Sequence, residues 1–330
     1  MTTAKLELVC PAGNPAALRA AVDAGADVVY AGFADETNAR NFPGLNFSRG
    51  EMADGIAYAH GRGCGVFIAI NSYPAAGDPG PWLRAVDDAA GLGVDAVILA
   101  DIGLLDYAQR SHPGLRRHLS VQASASNVEA IRFYHKAFGV KRVILPRVLT
   151  VAEITALNAK IPVETEVFAF GGMCVMAEGR CSLSSYVTGQ SPNTDGVCSP
   201  ASHVCYEKRD GELVSRLGDF TLNVFSEGEA AGYPTLCKGR FVTHDRPSYL
   251  FEEPSSLNVL AMLPELAAGG VRALKIEGRQ RGRAYVSRVV ATFRRAVDAA
   301  ASGDKTSAGE LDAMTEGQRH TAGAYDKSWH

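Results

Sequence analysis

Apolar residues fall along this chain in short unbroken runs, each followed by a stretch with helical spacing. The runs are residues 6–10, 27–32, 66–70, 96–100, 119–122, 143–146, 163–170 and 273–277. Runs without polar alternation suit parallel strands covered on both faces. Between them the spacing becomes that of amphipathic helices, at 15–25, 48–62, 80–91, 104–111, 129–139 and 150–160, and later at 283–302. Asn127 and Thr150 stand at two helix starts as N-caps, and Gly25 and Gly63 close two others.

The alternation stops at 172–250, a loop-rich stretch of Gly, Pro, Ser, Thr and Asn. A loop of that length inside a compact domain is usually functional. Regularity resumes with an expected helix over 256–270, which Pro264 kinks or starts. Eight strands alternating with helices is the count of a (β/α)8 TIM-like barrel in the α/β class, with an insertion after strand seven. A doubly wound open sheet is the rival; no Gly-rich dinucleotide fingerprint follows the first strand, which favours the barrel. The reading is one barrel domain over 1–303, including a cysteine-bearing insertion at 172–250, and a polar tail at 304–330. Tyr325 and Trp329 suggest that this tail docks.

Composition narrows the class. Among 330 residues, 46% are hydrophobic and 21% charged, as in folded soluble proteins. A net charge of −3 gives no global basic field for nucleic acid or anionic lipid. No apolar run approaches the roughly 20 residues that span a bilayer, and the opening MTTAKLELVCPAG has no signal-peptide core. A cytoplasmic, reducing compartment is therefore expected, where seven cysteines argue for metal or redox chemistry over disulfides.

In a barrel the chemistry lies at the C-terminal strand ends. Those ends supply Asn14, Arg40, Asn71, Gln122, Arg147, Glu166, Glu277 and Arg279 as candidate catalytic residues, with Asn38 and Asp101 beside them. Glu166 belongs only if its strand register turns it inward. The arginines could clamp a carboxylate or phosphate, and the bland alternative is that they anchor loops to carboxylates such as Glu277. No His stands at a strand end, no H-E-x-x-H occurs, and no Ser–His–Asp order is present.

Five cysteines follow strand seven. Cys174 and Cys181 have six residues between them, Cys198 and Cys237 come later, and Cys205 lies between those two. The spacing matches neither a zinc ribbon nor the bacterial ferredoxin run. It leaves open an iron–sulfur site, a closed zinc site or unpaired thiols, and does not choose between Cys198 and Cys205. Cys10 and Cys64 read as buried small hydrophobes.

The run EVFAFGGMCVMAEGRCSLS at 166–184 resembles the signature of the U32 family, long catalogued as collagenase-like peptidases. The opening LELVCPAGNPAALRAAVDAGADVVYAGF, the segment VQASASN and the block LKIEGRQRGRAYVSRVVATFRRAVD are similar to family blocks too, so the resemblance covers residues 6–298. The opening CPAGN and the run DETNARNFPGLNFS resemble the branch of the family that serves anaerobic ubiquinone biosynthesis. Longer members that hydroxylate RNA carry a further C-terminal region that this sequence lacks.

The resemblance implies a [4Fe–4S] cluster on Cys174, Cys181, Cys198 and Cys237, with Cys205 spare. It implies a heterodimer with a sister, UbiV-like U32 protein. The implied activity is O2-independent hydroxylation of the ring of a ubiquinone precursor, with prephenate as oxygen donor. Arg40, Arg147 and Arg279 are then expected to hold the anionic donor, and Asn14, Asn71 and Gln122 to orient it. With no membrane helix, the apolar precursor must come from a lipid-carrier protein or a membrane surface. The competing readings are tRNA or rRNA hydroxylation, a non-catalytic iron–sulfur scaffold or sensor, and, weakest, a peptidase.

Overall fold

The computed structural model describes residues 6–174, 176, 178–229, 231–302, 311, 314, 315 and 319–326. Seven strands come first: β1 (Glu7–Pro11), β2 (Val28–Ala31), β3 (Gly65–Ile70), β4 (Ala96–Leu99), β5 (Arg117–Leu119), β6 (Arg142–Ile144) and β7 (Glu164–Gly172). Each pairs in parallel with the next. The chain then makes three-stranded and two-stranded antiparallel sheets from β8 (Val204–Arg209), β9 (Glu212–Leu217), β10 (Phe220–Phe225), β11 (Arg240–Thr243) and β12 (Arg246–Tyr249). It returns through β13 (Ser255–Asn258) to β14 (Ala273–Ile276), which pairs in parallel with both β7 and β1 and closes the barrel. β15 (Arg319–Thr321) lies parallel to β13.

Helices α1 (Pro15–Asp23), α2 (Arg49–His60), α3 (Gly80–Gly91), α4 (Ile102–Ser111), α5 (Val128–Phe138) and α6 (Val151–Asn158) alternate with the first seven strands. α7 (Leu183–Thr188) belongs to the insertion, α8 (Leu263–Ala268) precedes β14, and α9 (Arg283–Ser302) follows it. Short polar side chains set the helix starts. Asn14, Asp101 and Asn127 cap α1, α4 and α5, while Ser48 with Glu51 and Thr150 with Glu153 form capping boxes on α2 and α6. The apolar faces of these helices close over the strands, with Phe170 of β7 packed 5.8 Å from Phe293 of α9.

Three expectations are corrected. Residues 256–270 are not one helix: Ser256, Leu257 and Asn258 pair antiparallel with Gly172, Gly171 and Phe170, giving the end of β7 a partner beyond β14. Only Leu263–Ala268 is α-helical, with Pro264 in its first turn, where a missing N–H is harmless. Strand five ends at Leu119, and Gln122 lies on a 3-10 turn, Val121–Ala123. The insertion carries hairpins where loops were expected. Asp210 and Gly211, at φ 50° and 88°, make the turn between β8 and β9. In the tail, Tyr325 is buried and its hydroxyl donates to the Phe168 carbonyl at 2.8 Å, while Trp329 lies outside the described residues.

Candidate functional site

A cavity of about 60 Å3 opens among the C-terminal ends of the barrel strands. Its floor is apolar, with Ala69, Ile98, Ile144 and Phe168 contributed by four different strands. Four cationic side chains line it, Arg40, Arg147, Lys275 and Arg279, against two carboxylates, Glu178 and Glu277. In a largely apolar wall that imbalance favours an anionic ligand.

The arginines differ in what holds them. Arg147 donates to Glu178 at 2.5 Å and lies 3.5 Å over the Phe168 ring. Arg40 donates to the Ala39 carbonyl at 2.7 Å and lies 3.8 Å from Glu277. Burial works against the Arg40 charge, but Glu277, then Cys198 and Cys174, outweigh it. Arg279 is 5% exposed and donates to Asn38 Oδ1 at 3.1 Å. Burial pushes its guanidinium down to about 10, with the opposing pull of Tyr30 next in size.

Six of the eight expected strand-end residues line this cavity: Arg40, Asn71, Gln122, Arg147, Glu277 and Arg279. Asn71 accepts from the Ala39 N–H at 3.0 Å and donates to Ser120 at 3.2 Å, tying two strand ends together. Two residues are placed elsewhere. Asn14 is committed to capping α1, its Oδ1 accepting from Ala17 N–H at 2.9 Å. Glu166 does face inward, but below the cavity, in an ionic layer with Lys275 at 2.7 Å and Arg142 at 3.2 Å. Lys275, Tyr30 and Glu178 escaped sequence reasoning. The lone Lys in the apolar run ALKI was the available signal for the first. Glu178 sits between two cysteines and carried none.

Glu178 belongs to the turn that joins the first two insertion cysteines, and that turn is fastened to the mouth. Ser124 donates to the Glu178 carbonyl, and Gly179, at φ 79°, passes so close that a Cβ would lie 1.9 Å from the Gln122 carbonyl. All seven cysteines are free. Burial pushes the Cys174 thiol up to about 11, with Glu178 adding and Arg147 opposing. Burial likewise raises Cys237, and Cys198 and Cys181 act on it in the same direction. Cys205 stands apart, exposed on β8 with its Sγ 3.8 Å from Glu207. Among the described residues, no three His, Cys, Asp or Glu are grouped as around a single metal ion. Cys237 is coupled electrostatically to Cys198 and Cys181, and soft thiols are the donor type that an iron–sulfur group takes.

The family model "Peptidase family U32" matches residues 13–329. Among curated proteins, the chain is 32% identical over 303 residues to "Uncharacterized protease MJ0090" of Methanocaldococcus jannaschii, covering 90% of this chain and 66% of that protein. It is 30% identical over 334 residues to "tRNA hydroxylation protein P" of Escherichia coli, covering 96% and 73%. It is 29% identical over 298 residues to the E. coli "23S rRNA 5-hydroxycytidine C2501 synthase", covering 89% and 40%. The chain thus spans about two thirds of the first of these relatives and less than half of the third.

Proposed function

We propose, since the chain belongs to peptidase family U32, that it is an iron–sulfur hydroxylase whose barrel mouth holds an anionic oxygen donor. Cys174, Cys181, Cys198 and Cys237 would hold a [4Fe–4S] cluster. When bound, that group supplies one-electron chemistry whose potential its surroundings tune. The protein's own contribution is electrostatic. Arg40 and Arg279 attract the donor's carboxylate, Asn71 and Gln122 fix its polar groups, and the floor of Ile98, Ile144 and Phe168 excludes water. The carboxylate-bearing donor proposed is prephenate, and oxygen transfer without O2 follows from using it.

One observation carries this reading. Arg40 lines the cavity with Glu277 on one side and is acted on by Cys198 and Cys174 on the other. The field at one guanidinium thus couples the donor cavity to the thiols, which supports this reading. The proposed acceptor is the ring of a ubiquinone precursor, delivered by a lipid carrier, with a UbiV-like sister chain completing the enzyme. Exposed apolar side chains on the insertion, Tyr186, Val242 and Leu250, with Phe251 just after it, support a partner there. An RNA base is the second reading, favoured by relatives named for tRNA and rRNA hydroxylation. A hydrolytic reading has less support, because no His or Cys is among the described residues that line the cavity. Of its hydroxyls, Tyr30 donates to the Ile276 carbonyl, while Ser120 accepts from Asn71 and the Gln122 N–H.

The test is anaerobic. Iron and sulfide are quantified in the purified chain, which is then incubated with prephenate, the sister chain and either demethylated quinone precursors or unmodified tRNA. Hydroxylated quinone supports the first reading and hydroxylated RNA the second. Bound zinc without sulfide would remove both.

A further inference from the structure

The cavity's four cations are not equivalent, and the difference assigns the ligand's anchor. Lys275 is neutralised by Glu166 at 2.7 Å and Arg147 by Glu178 at 2.5 Å; Arg40 has Glu277 at 3.8 Å. Arg279 is 5% exposed and, among the described residues, has no carboxylate within ion-pair distance; its guanidinium donates to the neutral Asn38. Glu277, already beside Arg40, acts on Arg279 only from beyond ion-pair distance, and a buried guanidinium without a close counter-charge is costly unless something supplies one. The fold is shaped to keep it there. Asn38 is itself fully buried and held by donating to the Phe33 carbonyl at 2.6 Å. Gly32 leaves the room: a Cβ there would lie 2.9 Å from Arg279 Nη1 and 2.7 Å from Asn38 Cγ. Gly13 lets the Arg279 backbone approach, since a Cβ would lie 1.8 Å from its carbonyl oxygen. Elsewhere on the cavity wall, Gln122 Oε1 is buried with no hydrogen-bond partner, a free acceptor waiting for a donor.

We propose that Arg279 is the anion-recognising residue of the barrel mouth, and that its ligand is a small carboxylate that also offers an O–H or N–H donor to Gln122. This rests on the reading that the cavity holds an anionic donor, and it divides the work. Arg147 does not bind ligand; it positions the turn between Cys174 and Cys181 through Glu178. A carboxylate is preferred over a phosphate dianion because, among the described residues, only one lining cation lacks a carboxylate within ion-pair distance. Its two oxygens match the guanidinium fork.

The experiment uses the full chain without added metal, titrated by calorimetry and by ligand-observed NMR with L-lactate, propionate and inorganic phosphate, and separately with prephenate. Lactate is expected to bind, propionate to bind several-fold more weakly for want of the hydroxyl, and phosphate not to compete. Arg279→Met and Gly32→Ala should each weaken lactate at least about 10-fold, whereas the charge-neutral pair Arg147→Met with Glu178→Gln should change it less than about 2-fold. That pair should instead speed iodoacetamide alkylation of Cys174 and Cys181. Thermal melts of each variant verify folding, and Arg279→Lys, which keeps the charge without the fork, should recover part of the affinity. Binding undiminished in Arg279→Met, phosphate binding tighter than lactate, or no probe binding at all overturns the proposal. Lactate binding without any hydroxylation in the assay above leaves this assignment standing and removes only the hydroxylase reading.

Discussion

Replacing Glu166 with Gln isolates the ionic layer beneath the cavity. Glu166 is fully buried and accepts from Lys275 at 2.7 Å and Arg142 at 3.2 Å. After the substitution Arg142 still has Glu7 at 2.5 Å and Glu164 at 2.8 Å. Lys275 loses its counter-charge and keeps a neutral amide oxygen and the face of Tyr30, 3.7 Å from its Nζ. Removing one partner of a buried pair costs about 3–5 kcal/mol. Deprotonation gives Lys275 an escape, so the lower end applies, about 3 kcal/mol. At roughly 2 °C per kcal/mol for a chain of this size, Tm should fall by about 6 °C. The sign of the pH dependence follows from Lys275. Burial already holds its ammonium below the ordinary lysine range, with Glu166 opposing that shift. Between the folded value and the unfolded value of about 10.4, the unfolded chain binds more protons, so stability rises with pH there. Losing Glu166 lowers the folded value further and extends that window toward neutrality. Thermal unfolding of Glu166→Gln at about pH 7, 8 and 9 should therefore show the deficit shrinking as pH rises, and adding Lys275→Met should recover most of it. A Tm within about 1 °C of the parent at neutral pH, with no upward slope, would refute the reasoning.

Other parts of the molecule give sharper or simpler tests. Asn14→Ala should lower stability by about 1 kcal/mol through the lost cap of α1 and leave lactate affinity unchanged, as separate melting and titration experiments can show. Gly179→Ala places a Cβ against the Gln122 carbonyl at a left-handed φ, so the cysteine turn should detach, with alkylation of Cys181 accelerating at least about 10-fold while the melt changes little. Iron and sulfide content after anaerobic reconstitution should vanish in Cys174→Ala, Cys181→Ala, Cys198→Ala and Cys237→Ala and persist in Cys205→Ala; loss in the last would move Cys205 into the ligand set. Tyr325→Phe deletes a buried hydroxyl that donates to Phe168, and about 1 kcal/mol of stability should go with it in urea titrations.

The barrel was legible because its strands are apolar on both faces. Runs such as VFIAI and AVIL admit few other readings, and the caps Asn127 and Thr150 stand where the sequence places them. The insertion was not, because strands such as VCYEKR and ELVSRL are only half apolar and lie largely at the surface. Asp210-Gly211 was a usable hairpin signal, but His244 and Asp245, both at positive φ between β11 and β12, gave none. At the site, strand ends located six cavity residues. They could not separate Asn14, whose side chain turns back to its own helix, or fix the depth of Glu166. Nor could they rank the arginines, since that depends on which carboxylate each meets in space. Glu178 and Glu277 reach the mouth from two distant segments.

β7 leads into the cysteine turn, and its neighbours arrive late in synthesis. On one side it pairs with β6, made just before it, but its other partners are β13 and β14, and Tyr325 donates to Phe168 across 157 residues. During translation the strand therefore emerges with one edge bare and its cysteines unseated. Non-local pairing of this kind is slow. The thiols acquire a fixed arrangement only after β14 has closed the barrel, so any group held by four of the insertion cysteines would load after that step. A cell making this protein would then need to keep those thiols reduced throughout that interval.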